Sequence, residues 1–461
     1  MNPAYSLKIG NSEIIPTDII EQLQSESPDT KDKAQRTLNE KLKETRVRIG
    51  TILKTDNVSF LIGAGVSIAS GGVSLANIPK SLEEALVKNA LKNLKDGKDA
   101  EWIKLFYSAA SMIGRQKLSL ETRQVLFDAK NEEEFKAIPI NLEEYLSHLY
   151  MWLAGTGAFG ESITIKKSDK EELFIPKHQL QCLINEITGI LCVLLDLPAS
   201  EKTNPLQVHR RFIKKVLTRP LNLRRANLFT LNYDTLLEQA ADAEGAVLVD
   251  GFVGTLRRVF RPESYDLDFY FPAQTTEGRV HRFDRALHLY KLHGSLTWHK
   301  CNQDWDNPYG LYATFFDQKT QADTVLIYPS PLKYGQALGL PYSELFRRFG
   351  NAVVQPQSVL FTIGYGFGDE HVNALIRQAL AIPSFTLVIV DPNPQSSFFL
   401  ELQKNEDERV WIVKGWELGT FECFVKKLMP DLREEEIEAK VMKTYKALSQ
   451  ADRAKSIEED S

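Results

Sequence analysis

Four short fragments constrain the fold of this chain more than any other feature, because each joins an apolar run to a polar, glycine-containing or asparagine-containing loop. The fragments are VSFLIGAGVSIASG from Val58, LFTLNYDTLLE from Leu228, LYKLHGSLTWH from Leu289 and VLFTIGYGFGDEHVN from Val359. In an open parallel sheet, loops that leave the carboxyl ends of strands line one crevice where ligands bind. We therefore predict that these distant segments meet around one nucleotide.

The apolar runs predict an α/β fold with a Rossmann-like, mostly parallel sheet. After Ala226, runs such as NLFTL, VLFTIG and FTLVIVDP are apolar on both faces, which suits strands covered by helices on both sides. Residues of about 80–220 are instead rich in helix formers, as in SLEEALVKNALKNLK and HQLQCLINEITGILCVLL. The sequence thus predicts a core that is interrupted by a large helical insertion.

At 461 residues the chain exceeds the usual size of a single core, so we divide it into parts. The predicted parts are an N-terminal helical extension at 1–50, a nucleotide-binding domain at 51–425 with the insertion at about 80–220, and a C-terminal helix with a frayed tail at 426–461. The apolar face of the N-terminal helix is predicted to dock either on the chain's own core or on another subunit.

Composition excludes several classes of protein. The net charge of -5 argues against broad electrostatic binding to nucleic acid. The four cysteines form no C-x-x-C pair, which argues against a zinc ribbon or a disulfide framework and favours a reducing cytoplasm. The N-terminus lacks the pattern of a secretory signal, and the apolar stretch Ile187–Leu197 is too short to span a membrane. We therefore expect a cytoplasmic protein that binds neither membrane nor nucleic acid directly.

The first loop, Gly63-Ala64-Gly65, follows a predicted strand and is predicted to open a helix. Without side chains, its glycines would let the backbone approach a phosphate, and exposed amides at a helix start favour negative charge. Ser67 continues this loop. A tight strand-to-helix turn explains the glycines equally well, and the third glycine of the usual dinucleotide fingerprint is missing.

Polar residues also follow the strands LFTL and LYKL. Asn232 and Asp234 are either site residues or a turn residue and a helix cap. His293 follows LYKL directly, and imidazole titrates near neutrality, which suits proton transfer if the ring faces the crevice. The alternative is a histidine whose polar atoms are satisfied within the protein.

Two further strand ends carry candidate residues, each with a purely structural alternative. Gly364 begins a glycine loop that ends at Asp369, and Asp369 is either a ligand residue or the cap of the next helix. Asp391 and Asn393 end the strand FTLVIV, where polar side chains can bind a ribose hydroxyl, or they form a DPNP turn.

Taken together and in this order, GAGVSIASG, TLNYD, KLHGS, IGYGFGDEHVN and VDPNP resemble the sirtuin-like NAD-consuming domains. More narrowly, they resemble the bacterial branch found in anti-phage defence systems, where the domain is an NADase. The resemblance covers roughly 55–80 and 225–415. It implies that NAD+ is the substrate and that cleavage of the nicotinamide bond proceeds without a metal.

The resemblance also assigns roles to residues. It implies that the loop of Gly63, Ala64, Gly65 and Ser67 holds the NAD phosphates, and that Asn232 positions water at the nicotinamide ribose, with support from Asp234. His293 would be the general base or a ribose-hydroxyl partner. The adenosine side would be formed by Gly364, Phe367, Asp369, Asp391 and Asn393.

Departures from the protein-deacylating sirtuins favour water as the acceptor. Those enzymes hold a structural zinc with two C-x-x-C pairs after the histidine motif, whereas here Cys301 stands alone, so no zinc is expected. The first hypothesis is therefore an NAD-glycohydrolase that depletes NAD in abortive infection. A non-catalytic sensor of NAD or ADP-ribose is the second hypothesis, and a protein deacylase is the third. The resemblance implies regulation through a homo-oligomer or a hexameric DNA-translocating ATPase.

Overall fold

The computed structural model describes residues 6–15, 18–23, 25, 27–73, 77–98, 100–113, 140–168, 171–197, 206–272, 280–314, 324–326 and 341–433. The strands in these ranges are β1 (Ser6–Ile9), β2 (Ser12–Ile15), β3 (Asn57–Ile62), β4 (Ser162–Ser168), β5 (Glu171–Pro176), β6 (Asn227–Thr230), β7 (Val247–Val249), β8 (Phe252–Val253), β9 (Arg258–Phe260), β10 (Tyr270–Pro272), β11 (Val280–Arg282), β12 (Ala286–Lys291), β13 (Gly294–Lys300), β14 (Leu311–Ala313), β15 (Thr324–Leu326), β16 (Ser358–Ile363), β17 (Thr386–Val390) and β18 (Val410–Lys414). The helices are α1 (Asp18–Leu23), α2 (Pro28–Leu53), α3 (Ile78–Lys95), α4 (Glu101–Met112), α5 (Leu142–Phe159), α6 (Lys177–Leu195), α7 (Gln207–Leu217), α8 (Leu236–Ala243), α9 (Tyr342–Val353), α10 (Glu370–Leu380), α11 (Ser397–Asn405) and the short turn α12 (Phe421–Cys423).

One large sheet organises the described chain. Its strand order is β2-β1-β18-β17-β16-β3-β6-β12-β7. Strand β1 runs antiparallel to β2 and β18, and the other neighbours are parallel. Strand β16 is buried at all six residues, as expected for a parallel strand covered on both faces. The predicted α/β fold with a mostly parallel, Rossmann-like sheet is confirmed.

The strand order reverses between β3 and β16. The chain extends the sheet from β3 through β6 to β12 on one side, and then returns to the other side with β16, β17 and β18. Strands β3 and β16 pair over their whole length, from Asn57 opposite Ser358 to Ile62 opposite Ile363. Ligands of open α/β sheets bind outside the carboxyl ends of strands at such a reversal.

Alternation along the central strands builds two cores. Phe60 and Phe361 stack at a centroid distance of 5.0 Å on one face, which α2 and α7 cover. Leu61 and Leu360, the adjacent residues, point into the core on the other face, which α9, α10 and α11 cover. Because successive side chains of a strand point to opposite faces, an apolar run without alternation supplies both cores.

The N-terminal part docks on the chain's own core. Leu38, Ile49 and Leu53 of α2 are buried against the central sheet, which answers the question that the sequence left open. Strands β1 and β2 precede the helix as a hairpin that pairs with β18. The prediction that residues 1–50 are helical therefore holds for only part of this segment. The sequence did not indicate this hairpin, because its strands are only four residues long and the strand that β1 pairs with lies about 400 positions further along the chain.

The insertion has a hydrophobic core of its own. Helices α3, α4, α5 and α6 bury a cluster that includes Phe106, Tyr145 and Ile187. The hairpin β4–β5 lies within this predicted helical region. Helix α7, although predicted as part of the insertion, packs on the central sheet through Phe212. The described insertion therefore ends before α7.

Smaller sheets surround the end of the central sheet that carries β12. Strands β15, β13, β14, β9 and β8 form a five-stranded sheet in that order, and β10 and β11 form a separate hairpin.

Within the described residues, α6 is long and apolar enough to cross a membrane by length and composition, and its buried face packs in the insertion core. The predicted C-terminal helix beyond residue 433 lies outside the described residues.

Candidate functional site

Four loops lie side by side at the carboxyl ends of β16, β3, β6 and β12, next to the strand reversal. In that order they contain Gly364, Gly63, Asn232 and His293. Two backbone hydrogen bonds join the last two loops: Leu292 N donates to Thr230 O at 2.9 Å, and Leu296 N donates to Tyr233 O at 3.1 Å. Segments that are far apart in the sequence therefore adjoin here.

Backbone contact explains the glycines of the first and fourth fragments. A Cβ atom added to Gly63 would lie 2.5 Å from the carbonyl oxygen of Gly364, and one added to Gly65 would lie 2.7 Å from Gly364 Cα. Gly364 has a φ of +60°, and its own Cβ would lie 2.8 Å from Gly65 Cα. Any side chain at these positions would push the two loops apart. The described glycines thus serve contact between loops, which is a different role from the predicted approach of a phosphate.

The sequence predicted that the loop after β3 opens an α-helix, and this prediction is wrong. The loop forms two short 3-10 turns, Ala64–Val66 and Ile68–Ser70. Glycine is a poor helix former, and Gly72 folds back so that its amide donates to Ser67 O at 2.9 Å. The amides of Gly63 and Gly65 donate to carbonyl oxygens of the β16 end, so they are committed within the protein.

Asn232, Ser67 and Asp234 form one hydrogen-bonded network between the loops that follow β3 and β6. Asn232 Nδ2 donates to Gly63 O and to Ser67 Oγ, both at 3.0 Å. Ser67 Oγ donates to Asp234 Oδ2 at 2.6 Å, and Asp234 Oδ1 accepts from Leu236 N at 3.1 Å. Ser67 and Asp234 are buried. The network fixes the orientation of the Asn232 amide relative to the glycine loop.

Lys291 supports this network from below, although the sequence reasoning did not select it. Its ammonium group donates to the carbonyl oxygens of Tyr233 and Asp234 and to Glu238 Oε1, the last at 2.8 Å. The Lys291 side chain is only 3% exposed. Burial raises the pKa of the Glu238 carboxyl, although the neighbouring Lys291 lowers it. The lysine in KLHGS was the available signal, because a buried lysine needs acceptors.

His293 meets Asp369 across the top of the sheet. His293 Nε2 lies 3.1 Å from Asp369 Oδ2, and the two side chains are 7% and 8% exposed. Asp369 is also the N-cap of α10, since its Oδ1 accepts from His371 N at 3.0 Å. The predicted helix cap is confirmed, and Asp369 also contacts the candidate base, while its role toward a ligand stays a prediction. Burial lowers the pKa of His371, next to the cap.

The two aromatic residues of the loop after β16, Tyr365 and Phe367, are packed into the core. Phe367, predicted to line the adenosine side, is 2% exposed and contacts Phe398 at a centroid distance of 5.7 Å. Its backbone has a φ of +55°. The Phe367 carbonyl accepts from Asn373 Nδ2 at 3.0 Å, and Tyr365 Oη donates to Asn373 Oδ1 at 3.0 Å. The Phe367 ring therefore anchors the loop by packing in the core against Phe398.

Asp391 and Asn393 lie at the carboxyl end of β17, beside the loop of Gly364. Asp391 Oδ1 accepts from Asn393 N at 2.8 Å, which is the turn that the DPNP alternative describes. Burial raises the pKa of Asp391. Asn393 is exposed. Both residues adjoin the loops, and no described contact links them to Asn232 or His293.

Comparison with known families gives one result. Residues 226–414 match the profile of the SIR2-like domain. The match includes the loops of Asn232, His293, Gly364 and Asp391, and it begins after the glycine loop of Gly63 and after the whole insertion. A comparison with curated proteins found no match. The region from β6 to β18 is thus similar to SIR2-like domains, which use NAD+.

Proposed function

We propose that this chain is an NAD-glycohydrolase that cleaves NAD+ to nicotinamide and ADP-ribose. The SIR2-like match supports a reaction of NAD+. The observation that carries the proposal is the hydrogen-bonded contact between the Asn232 and His293 loops beside the strand reversal. A polar amide and an imidazole at this edge supply groups for orienting water and accepting a proton.

The reaction breaks the bond between ribose C1′ and the nicotinamide nitrogen, and a water oxygen forms the new bond to C1′. Nicotinamide leaves as a neutral molecule, while positive charge develops on the ribose ring and water loses a proton. We assign Asn232 to positioning the water, since its Nδ2 is anchored by Gly63 O and Ser67 Oγ. We assign His293 to accepting the proton, with the Asp369 carboxylate stabilising the imidazolium that forms.

Part of the proposal is that activity is restrained until a trigger arrives. Unrestrained loss of NAD would kill the host, and the His293 and Asp369 side chains are almost completely buried in the described arrangement. Access of a dinucleotide to His293 therefore requires these loops to move. We propose that oligomerisation or a partner, such as a hexameric DNA-translocating ATPase, produces this movement during anti-phage defence. The finding that supports this part is the burial alone.

The test is incubation of the purified chain with NAD+, with products separated by chromatography. We expect nicotinamide and ADP-ribose in equal amounts once the chain has oligomerised or its partner has been added, and little product before that. Asn232→Ala and His293→Ala should each abolish both products while the chain stays folded by circular dichroism. Binding of NAD+ without any release of nicotinamide would indicate a sensor, and release only with an acyl-lysine peptide would indicate a deacylase. Either result would reject the glycohydrolase.

A further inference from the structure

A cavity lies at the amino ends of β3, β6 and β12, on the edge of the sheet opposite the candidate site. Asn57, Asn227 and His288, near the starts of these strands, contribute to its lining. Its volume is about 470 Å³. Ligand pockets typically have volumes of about 300–1,000 Å³. The proposed cleavage of NAD+ uses none of these residues, so the cavity is available for another ligand.

The charge of the lining is weakly positive. Five arginines and three aspartates line the cavity: Arg224, Arg225, Arg282, Arg347, Arg348, Asp56, Asp266 and Asp268. Glu344, behind the rim, pairs with Arg347 and Arg348 and leaves an excess of one positive charge. Among the described residues, Arg224 has no carboxylate partner, and its Nη1 donates only to Asn57 Oδ1 at 3.3 Å. Guanidinium groups bind phosphate with paired donors, so this rim suits a single phosphate group.

Two polar atoms of β12 have no partner among the described residues. His288 bonds to the Leu267 backbone through one ring nitrogen, while its buried Nε2 makes no hydrogen bond. Tyr290, two positions along the same strand, is 6% exposed, and its hydroxyl donates to no described residue. Burial lowers the pKa of His288, so the ring is neutral near pH 7. A neutral Nε2 accepts a hydrogen bond, and the pair therefore suits the hydroxyl groups of a sugar.

An exposed aromatic residue, Tyr270, is the cross-strand neighbour of one of the lining arginines. Tyr270 of β10 pairs directly with Arg282 of β11, and paired residues of antiparallel strands lie on the same face. Arg282 lines the cavity, and Tyr270 lies on the same face of the hairpin as Arg282 without lining the cavity itself. The Tyr270 residue is 58% exposed. An exposed ring next to phosphate-binding donors is suited to stacking on a nucleobase.

We propose that this amino-edge cavity binds a nucleoside monophosphate. The Arg224 and Arg347 guanidinium groups hold the phosphate, His288 and Tyr290 meet the ribose hydroxyls, and Tyr270 stacks on the base. The small positive excess favours one phosphate over three. The overall charge of -5 and the limited volume favour a free nucleotide over a nucleic-acid strand.

The experiment is calorimetric titration of the full chain with AMP, adenosine, ATP and a short single-stranded oligonucleotide. We expect AMP to bind most tightly. Arg224→Gln and Tyr270→Ala should each weaken AMP about fivefold or more, as expected for loss of a phosphate contact or of base stacking. Arg377→Gln, which removes an exposed, ion-paired arginine of α10 outside the cavity, is the matched control and should leave AMP binding unchanged.

The outcomes separate this site from the site proposed for NAD+. Asn232→Ala should leave AMP affinity unchanged, and Arg224→Gln should leave NAD+ cleavage by the chain unchanged. If AMP does not bind, or if only the oligonucleotide binds, the proposal for this cavity is rejected whatever the outcome for NAD+. Loss of AMP binding in Asn232→Ala but not in Arg224→Gln would assign AMP to the carboxyl edge and would also overturn it.

Discussion

Lys291→Met tests whether the buried lysine holds the Asn232 loop in its working position. The substitution removes three hydrogen bonds and leaves Glu238, whose side chain is 23% exposed, without its cation. Breaking one partner of a buried ion pair costs about 3–5 kcal/mol, so we expect about 2–4 kcal/mol here after allowing for the partial exposure of Glu238. The measurement is urea unfolding followed by tryptophan fluorescence. The exposed pair of Lys426 and Glu422 provides the matched control, since Lys426→Met should cost under about 0.5 kcal/mol.

The stability of this variant should also depend on pH. Burial raises the pKa of Glu238 in the folded protein above its unfolded value, and removal of Lys291 should raise it further. The folded state then binds the proton more tightly, so the loss of stability should be full at pH 8 and should shrink toward pH 5. An equal loss at both pH values would show that the unpaired carboxylate is not the cause.

A second substitution separates stability from activity. Adding Glu238→Gln to Lys291→Met removes the unpaired charge and should recover about 1–2 kcal/mol of unfolding free energy. The carbonyl groups of Tyr233 and Asp234 still lack their donor, so kcat for NAD+ cleavage should stay at least about tenfold below wild type while KM changes little. Recovery of kcat together with stability would refute a positioning role for Lys291.

Three further predictions concern the loops and the first strand. Gly364→Ala should destabilise the protein by about 2 kcal/mol or more in urea unfolding, because Cβ meets the Gly65 backbone at a positive φ, whereas Gly366→Ala, with open space around it, should not. Asp369→Asn keeps a helix cap but removes the charge beside His293, so the melting temperature should hold while kcat falls about tenfold or more. Leu7→Ala should cost about 2–4 kcal/mol in the same unfolding assay, since Leu7 is 1% exposed in the core.

The sequence predicted the central strands because a strand that is buried on both faces has a run of consecutive apolar residues. The runs that became β3, β16 and β17 are apolar without alternation, and this is visible without knowing their neighbours. The hairpin of β1 and β2 shows no such pattern, because its four-residue strands depend on pairing with β18. The hairpin of β4 and β5 was hidden by the helix-forming residues on either side.

The sequence predicted which loops adjoin, but it did not predict the contacts between them. The rule for strand ends placed Asn232 and His293 at the same edge of the sheet, since it requires only that the strands be parallel. The purpose of Gly63 and the support from Lys291 depend on which strands are neighbours, and sheet order cannot be read from one sequence. Phe367 shows the same limit, since its position in a polar loop gave no sign that its ring turns into the core.

The pairing of β1 with β18 has a consequence for how the protein is made on the ribosome. Ser6 lies opposite Lys414, which is 408 positions further along the chain. At a synthesis rate of about 5–20 residues per second, the first strand waits roughly 20–80 s for its partner to emerge. During that interval Leu7 and Ile15, which are buried in the folded protein, stay exposed to solvent. We therefore expect the N-terminal segment to bind a chaperone near the exit tunnel until β18 has been made.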